Sequence, residues 1–543
     1  MTERRRLLAL LPAAAFVVAV AIGPAAILLG RGIADGGGIA GLATLLGDPL
    51  NRTAVANSLL QGALSAAGAV VLGYPVGLYL GRYAGPRGGV LRAVLLVPFL
   101  LPSVVMAFAI EGLFGPGGTV GAVVPAVRAL GSGLGGIVAA NVIFNLPLVA
   151  LLTAVGVESA SVELEDAASA LGAPPSRVYR DVWAAPSLLG AAAGALVTFL
   201  LSALAFAAPL LLCGARCYTI EARVWSLDTV LLEPNAASAL AAVSVAFLAV
   251  PTALYLVLSH RLRVGRSGRP RPPRPIRGAG PYGVVAVTVG VVGVVVLVLG
   301  SVLYRSLAGG GSGSGAAAAG WLALGSPRIA AATGVSVAGA VANTVGFAVA
   351  GALVALLLGI VSGFALKRAP GAARGLPGLL FAPLLISPIV LSLALATVWG
   401  PVVAGPGSWG LVVAAQATLA LPFALESLWV ALRSRPAGPR EAAEILGARP
   451  FVAYLDTDVA GSAGALRTAV LFAFALCLGE FTATYFLTSF ATPGFATLPV
   501  VLYDLQGPGV RLFAAADAVA GLLVLVSLAV LAAVALGGRR VEL

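Results

Sequence analysis

Long apolar runs separated by short polar, arginine-bearing stretches make up most of this chain. Runs of the roughly 20 residues needed to cross a bilayer can be read at 7–29, 57–80, 93–110, 136–156, 188–212, 236–258, 282–303, 342–366, 378–398, 410–432, 465–487 and 514–536. Each predicts a membrane-spanning helix, so the expected fold class is an all-α polytopic membrane protein with twelve transmembrane helices. The first run follows Glu3-Arg4-Arg5-Arg6 and looks like the start of a signal peptide. Its apolar stretch is longer than a typical signal core, so it reads as a retained span. Two segments interrupt the apolar pattern with good helix formers, one between the fourth and fifth runs and one between the tenth and eleventh.

Composition supports this reading. Of 543 residues, 60% are hydrophobic and only 10% charged, and mean hydropathy is +1.04. A soluble domain is less apolar and far more charged. The net charge of +12 is nearly all arginine, with Lys367 the single lysine. Placing the amino terminus inside puts 25 of the 33 basic residues on the cytoplasmic side and 8 outside, which orients both termini toward the cytoplasm. The positive-inside rule and the lipid headgroups therefore account for the basic balance without nucleic acid. Cys213, Cys217 and Cys477 match no zinc pattern. Cys213 and Cys217 fall in a predicted outer loop, where they either pair or stay as two small free residues. No metal site and no cofactor are expected, and His260, the only histidine, lies beside arginines at a helix end.

The run from Arg261 to Arg277 is rich in arginine and proline, has no helical period and reads as a solvated cytoplasmic linker. It divides the chain into residues 1–260, 261–277 and 278–543. The two flanking parts form a repeat. At a spacing of 275, Leu146-Pro147 faces Leu421-Pro422, Gly172-Ala173 faces Gly447-Ala448, and Phe199 and Phe206 face Phe474 and Phe481. Upstream, Ala56-Asn57-Ser58 faces Ala342-Asn343-Thr344 and Gly77 faces Gly363 at 286, so the first half carries about eleven extra residues in an outer loop after Pro102. Six spans separate equivalent positions, so the repeat is parallel, about an axis along the membrane normal.

The two helix-forming interruptions are themselves a pair, Glu165-Asp166-Ala167-Ala168-Ser169-Ala170-Leu171-Gly172-Ala173 and Arg440-Glu441-Ala442-Ala443-Glu444-Ile445-Leu446-Gly447-Ala448. Each has an acidic start, two alanines and a leucine on one narrow face, and a glycine where a left-handed turn ends the helix. This resembles the EAA loop of ABC-importer permeases, extending over about 163–186 and 438–461. Asp166 replaces the usual glutamate in the first copy, and Ala185-Pro186 and Ala460-Gly461 stand where that family has Leu-Pro. The resemblance implies a type I ABC-importer (MetI-like) fold of two six-helix permease units. It further implies that Asp166, Ala167, Ala168, Gly172, Glu441, Ala442, Ala443 and Gly447 form ATPase-coupling helices. The phosphate-binding Gly-Lys-Ser/Thr signature is missing, since Lys367 lies between Leu366 and Arg368, so the chain is not expected to be an enzyme. The implied partners are two copies of a separate ATP-binding subunit, an extracytoplasmic substrate-binding protein and the lipid bilayer.

Two units fused in one chain are typical of thiamine and ferric-iron importers. The stretch Phe474-Ala475-Leu476-Cys477-Leu478-Gly479-Glu480-Phe481, with Thr497-Leu498-Pro499, is most similar to the thiamine permease, ferric iron close behind. Glu480 lies deep in the eleventh span, and its counterpart 275 residues earlier is Ala205. Two readings stand: a carboxylate hydrogen-bonded to a neighbouring helix end, or a group that faces a central passage and favours a cationic solute. Thr482, Thr484, Tyr485, Phe206 and Phe481 would line that passage with hydroxyls and aromatic faces. Glu426 is the competing acidic candidate. An ion-gradient-driven secondary transporter with two six-span halves is the alternative class, but the relay of buried ionisable residues that it needs is not visible.

Overall fold

In the computed structural model, residues 11–539 are described apart from 86–87, 215–216, 265–272, 277, 309–318, 369–375, 404–407, 434, 491–493, 508–509 and 511. Every regular element among the described residues is helical. In chain order the main ones are α1 (Leu11–Asp35), α2 (Gly38–Gly47), α3 (Pro49–Arg82), α4 (Gly88–Leu100), α5 (Ser103–Phe114), α6 (Gly133–Ser159) and α7 (Val162–Ala170). They continue with α8 (Pro175–Ala203), α9 (Ala207–Leu212), α10 (Ile220–Trp225), α11 (Pro234–Val264), α12 (Ala279–Ala308), α13 (Val337–Arg368) and α14 (Leu376–Phe381). The last are α15 (Pro388–Val398), α16 (Trp409–Arg433), α17 (Gly438–Ile445), α18 (Pro450–Gly479), α19 (Thr482–Phe490), α20 (Leu498–Asp504) and α21 (Phe513–Arg539).

Nine helices among the described residues are long and apolar enough to cross a membrane, and eleven if each of two bent pairs counts as one span. The bent pairs correct the expectation of straight spans at 93–110 and 378–398. α4 and α5 meet at 94°, and the helical stretch Gly378–Leu385 meets α15 at 100°. Proline causes both turns. Pro102 lacks a donor and pushes Leu101 out of helical geometry, while Pro388 opens α15 with Ser387 as its cap, the Ser387 Oγ accepting from Val390 N at 3.1 Å. The runs at 188–212 and 465–487 are likewise broken, at Leu204–Phe206 and at Glu480–Phe481.

Contacts group the chain into two compact units, one of Met1–Ile39, Pro234–Ala239 and Ser312–Leu543, the other of Ala40–Glu233 and Leu240–Gly311. In the 40–311 unit, α3 packs along α6 and α8, and α12 packs on α3 and α5. Val76, Leu80, Leu95, Leu146, Ala150 and Val291 form one of its cores. Small residues allow close approach: a Cβ at Gly77 would collide with Thr153 and the Ala150 carbonyl. In the 312–543 unit, α13, α16 and α18 pack together and α21 packs on α18. Ala13 and Val17 of α1 join the core made by Ala352, Leu421 and Cys477, and Trp399 Nε1 donates to Ala19 O at 2.9 Å. Thus α1 groups with the later helices and α12 with the earlier ones, a division that the position of the linker does not reveal. An apolar helix can bury against any apolar surface it reaches, so chain order alone does not assign it.

Candidate functional site

Ser161 caps α7 by accepting from Leu164 N at 3.1 Å, and Glu163 and Glu165 lie in its first turn, where the helix dipole favours carboxylates. At the other end Ala173 N donates to Ala168 O and Gly172 N to Ser169 O, both at 3.0 Å. This double closure needs a left-handed residue, and Gly172 supplies it with φ +74°. α17 ends in the same way. Ala448 N donates to Ala443 O and Gly447 N to Glu444 O, again at 3.0 Å, with Gly447 at φ +95°.

The surfaces match as well. Asp166, Ala167 and Gly172 are exposed and Ala168 is half-buried; Glu441, Ala442 and Gly447 are exposed and Ala443 is half-buried. At the tip Leu171 and Leu446 are each 87% exposed, with Ile445 at 85%. Beyond each knob the chain runs through a π-helical turn, Tyr179–Trp183 in α8 and Tyr454–Val459 in α18, into a long apolar helix. The departures at Ala185-Pro186 and Ala460-Gly461 therefore do not interrupt the exit.

The short helices α7 and α17, each a projecting knob, are both anchored by buried ion pairs, but the anchors differ. Glu165 is 4% exposed and its Oε1 accepts from Arg82 Nε at 3.0 Å and Nη2 at 2.6 Å, while Oε2 accepts from Trp183 Nε1 at 3.1 Å. The residues 275 positions later are Arg440 and Asp458, which form an ion pair at 3.4 Å. Glu165, Arg82 and Trp183 escaped the sequence-based site because the pattern marks what a docking partner would touch. The signal that could have found them is the 18-residue spacing shared by Glu165–Trp183 and Arg440–Asp458.

The linker differs from the expectation of a free joint where it is described. Arg274 N donates to Arg82 O at 3.0 Å, and Gly85, at φ +56°, leaves room for Pro273. A proline-rich segment makes no hydrogen bonds of its own, and the last carbonyls of α3 have no helical partner, so the two satisfy each other. Residues 265–272 and 277 lie outside the described residues.

At the second helix break, Glu480 caps α19. Its carboxylate accepts from Ala483 N at 2.7 Å, Thr484 N at 2.9 Å and Thr484 Oγ1 at 2.7 Å. Gln416 Nε2 donates to the same Thr484 oxygen at 3.1 Å. Phe481 stacks on Tyr485 with centroids 5.3 Å apart and lies 5.8 Å from Tyr503. The structure thus brings Glu480, Phe481, Thr484 and Tyr485 together, with Thr482 buried in the first turn of α19. Phe206 sits at the break in the other compact unit, fully buried, its ring 6.1 Å from Trp225. The Glu426 side chain lies outside the described residues. Cys213 and Cys217 are joined as a disulfide, and Cys477 is a free buried thiol.

Long apolar helices that bend at prolines, with a capped, leucine-tipped helix in each compact unit, are the setting for the comparison with known proteins. Residues 73–264 match the family described as binding-protein-dependent transport system inner membrane component. The match makes this segment similar to an ABC-importer permease domain, and the long apolar helices fit a multi-pass membrane protein. Permeases of this family work with an ATPase and a binding protein. The molybdenum transport system permease proteins ModB of Mycobacterium tuberculosis H37Rv and of Mycobacterium bovis are each 28% identical over 226 residues, covering 41% of this chain and 85% of their own length.

Proposed function

We propose that the whole chain is the translocation subunit of an ABC importer, two six-helix permease units in one polypeptide with both termini in the cytoplasm. α7 and α17 would each seat one copy of a separate ATP-binding subunit. The observation that carries this reading is the pairing of α7 and α17: the same double closure at a left-handed glycine and the same 87% exposure of the leucine before it. Replacing Gly172 or Gly447 by valine disfavours the left-handed turn by about 1–2 kcal/mol. Transport and substrate-stimulated ATP hydrolysis should then fall together in the complex with its ATPase and binding protein. Wild-type transport from both variants would refute the docking assignment.

For the solute there are two readings. Thiamine, or ferric iron, rests on the short matches around Glu480 and Thr497. Molybdenum transport, the function in the name of both relatives, rests on a 226-residue alignment and is supported by more of the chain. The cationic reading also loses support because three donors from α19 already engage the Glu480 carboxylate. We favour the molybdenum reading on this balance, with Glu480 to Tyr485 near the path and Glu480 acting by holding α19. Stimulation of ATP hydrolysis in the reconstituted complex by molybdate, thiamine or ferric ion, each with the cognate binding protein, discriminates the readings; stimulation by thiamine or iron alone would reverse the preference.

A further inference from the structure

We propose that the described end of the arginine- and proline-rich segment, Pro273–Ile276, is a working part of the first coupling site, with Arg274 as a positioning residue that acts on α7 through Glu165. This rests on the reading of α7 as a docking helix. Four contacts converge on Arg274. Its N–H is held by Arg82 O at 3.0 Å, and its guanidinium lies 3.5 Å from Glu165 Oε1. Its Nη2 reaches Ser169 Oγ on α7 at 3.5 Å, and its Cζ lies 5.3 Å from the centroid of the Trp183 ring. Arg82 also approaches that ring, at 5.6 Å. A buried carboxylate, two guanidiniums and an indole thus fix the base of α7 to the end of α3 and the start of α8.

The second helix is held by a different charge arrangement. Arg440 carries a positive charge where the first helix has Glu165, and among the described residues it pairs with Asp458 at 3.4 Å and Glu444 at 3.9 Å. The first site inverts the sign: its buried residue is the acid, and part of its cationic shell comes from a segment about a hundred residues further along the chain. A buried carboxylate deprived of one partner is poorly compensated, so α7 should become loose on its base when Arg274 is removed. α17 should not respond. Among the described residues Arg274 reaches α7 and its base, so the response to its removal is expected at α7.

The experiment uses the full chain assembled with its ATPase, carrying a single introduced cysteine, Leu171→Cys or Leu446→Cys, and a cysteine-to-amine crosslinker. Both cysteines should crosslink to the ATPase in the otherwise unchanged chain. Adding Arg274→Ala should lower the Leu171→Cys yield about fivefold, the scale of one charge-assisted contact, and leave the Leu446→Cys yield unchanged. The latter also reports that the chain has folded and assembled. Arg274→Lys should restore part of the yield, because lysine keeps the charge near Glu165 but cannot stack its plane on Trp183. Equal changes at both positions, or none at either, would overturn the linker's role while keeping the docking reading. Failure of both cysteines to crosslink before Arg274 is changed would overturn the docking reading and the inference with it.

Discussion

The Oγ of Ser58 accepts a hydrogen bond from the backbone N–H of Ile220 at 2.9 Å, and that bond ties the first third of α3 to the first residue of α10. Thr344 does the same for Leu498, at 2.8 Å, the first residue of α20. In each case the neighbouring asparagine adds a second tie: Asn57 Nδ2 donates to Tyr218 O and Asn343 Nδ2 to Ala496 O. A short helix begins with free N–H groups, and a hydroxyl from a long helix is a compact way to satisfy one. Ser58→Ala and Thr344→Val should each leave a buried N–H without its partner, at a cost of about 1–3 kcal/mol. Thermal unfolding of the purified chain should show a lower midpoint for each. The double variant should show about the sum, since the two bonds share no partner. A midpoint unchanged in either single variant would mean that water replaces the hydroxyl.

Much of this was legible in the sequence because it depends on local chemistry. The apolar runs and the glycine-stopped helices follow from residue type and spacing, and among the described residues nine helices, or eleven with each bent pair counted as one, are long and apolar enough to cross a membrane. Two kinds of information were not local. The turns at Pro102 and Pro388 lie inside or beside apolar runs, and hydropathy averages over them, so bent helices read as straight spans. The anchors of the knobs depend on distant residues: Arg82 and Arg274 converge on Glu165 from positions before and after it, and no periodicity records that meeting. The glutamate at 480 was legible as buried and costly, but whether its oxygens face a helix end or a passage is set by the break after Gly479.

Asp504 gives a pH-dependent prediction. It lies at the end of α20, outside the spanning helices, and burial pushes its carboxyl from the ordinary 3.8 up to about 6. A folded state that raises the value of an acid favours the protonated form. Its contribution is therefore fully present below about pH 3.8 and is lost as pH rises toward 6. Asp504→Asn mimics the protonated side chain. The stability difference between Asp504→Asn and the unchanged chain should be small at pH 4 and grow in favour of the variant up to about pH 6, then level. Midpoints measured in parallel across this range check the sign; a difference that shrinks as pH rises would mean that a positive group reaches Asp504 in solution.

Glu480→Gln separates a helix cap from a solute contact. The carboxylate accepts three hydrogen bonds from the first turn of α19, and the amide can offer only one oxygen while its nitrogen faces N–H groups that also donate. Loss of a cap of this kind costs about 0.5–2 kcal/mol, so the thermal midpoint should fall. Phe481 and Tyr485 flank the cap and pack on Tyr503, at 5.8 and 5.0 Å, so a loosened α19 moves the aromatic cluster with it. Uptake by the reconstituted complex should therefore slow, and basal ATP hydrolysis, which on the docking reading runs through α7 and α17, should persist. Glu480→Asp makes the distinction sharper, because it keeps the charge but withdraws the oxygens from Ala483 and Thr484. If Glu480 acts through the cap, the aspartate variant should be as slow and as unstable as the glutamine variant. Normal uptake by Glu480→Asp with slow uptake by Glu480→Gln would show instead that the charge itself faces the solute, and would return the cationic reading to first place.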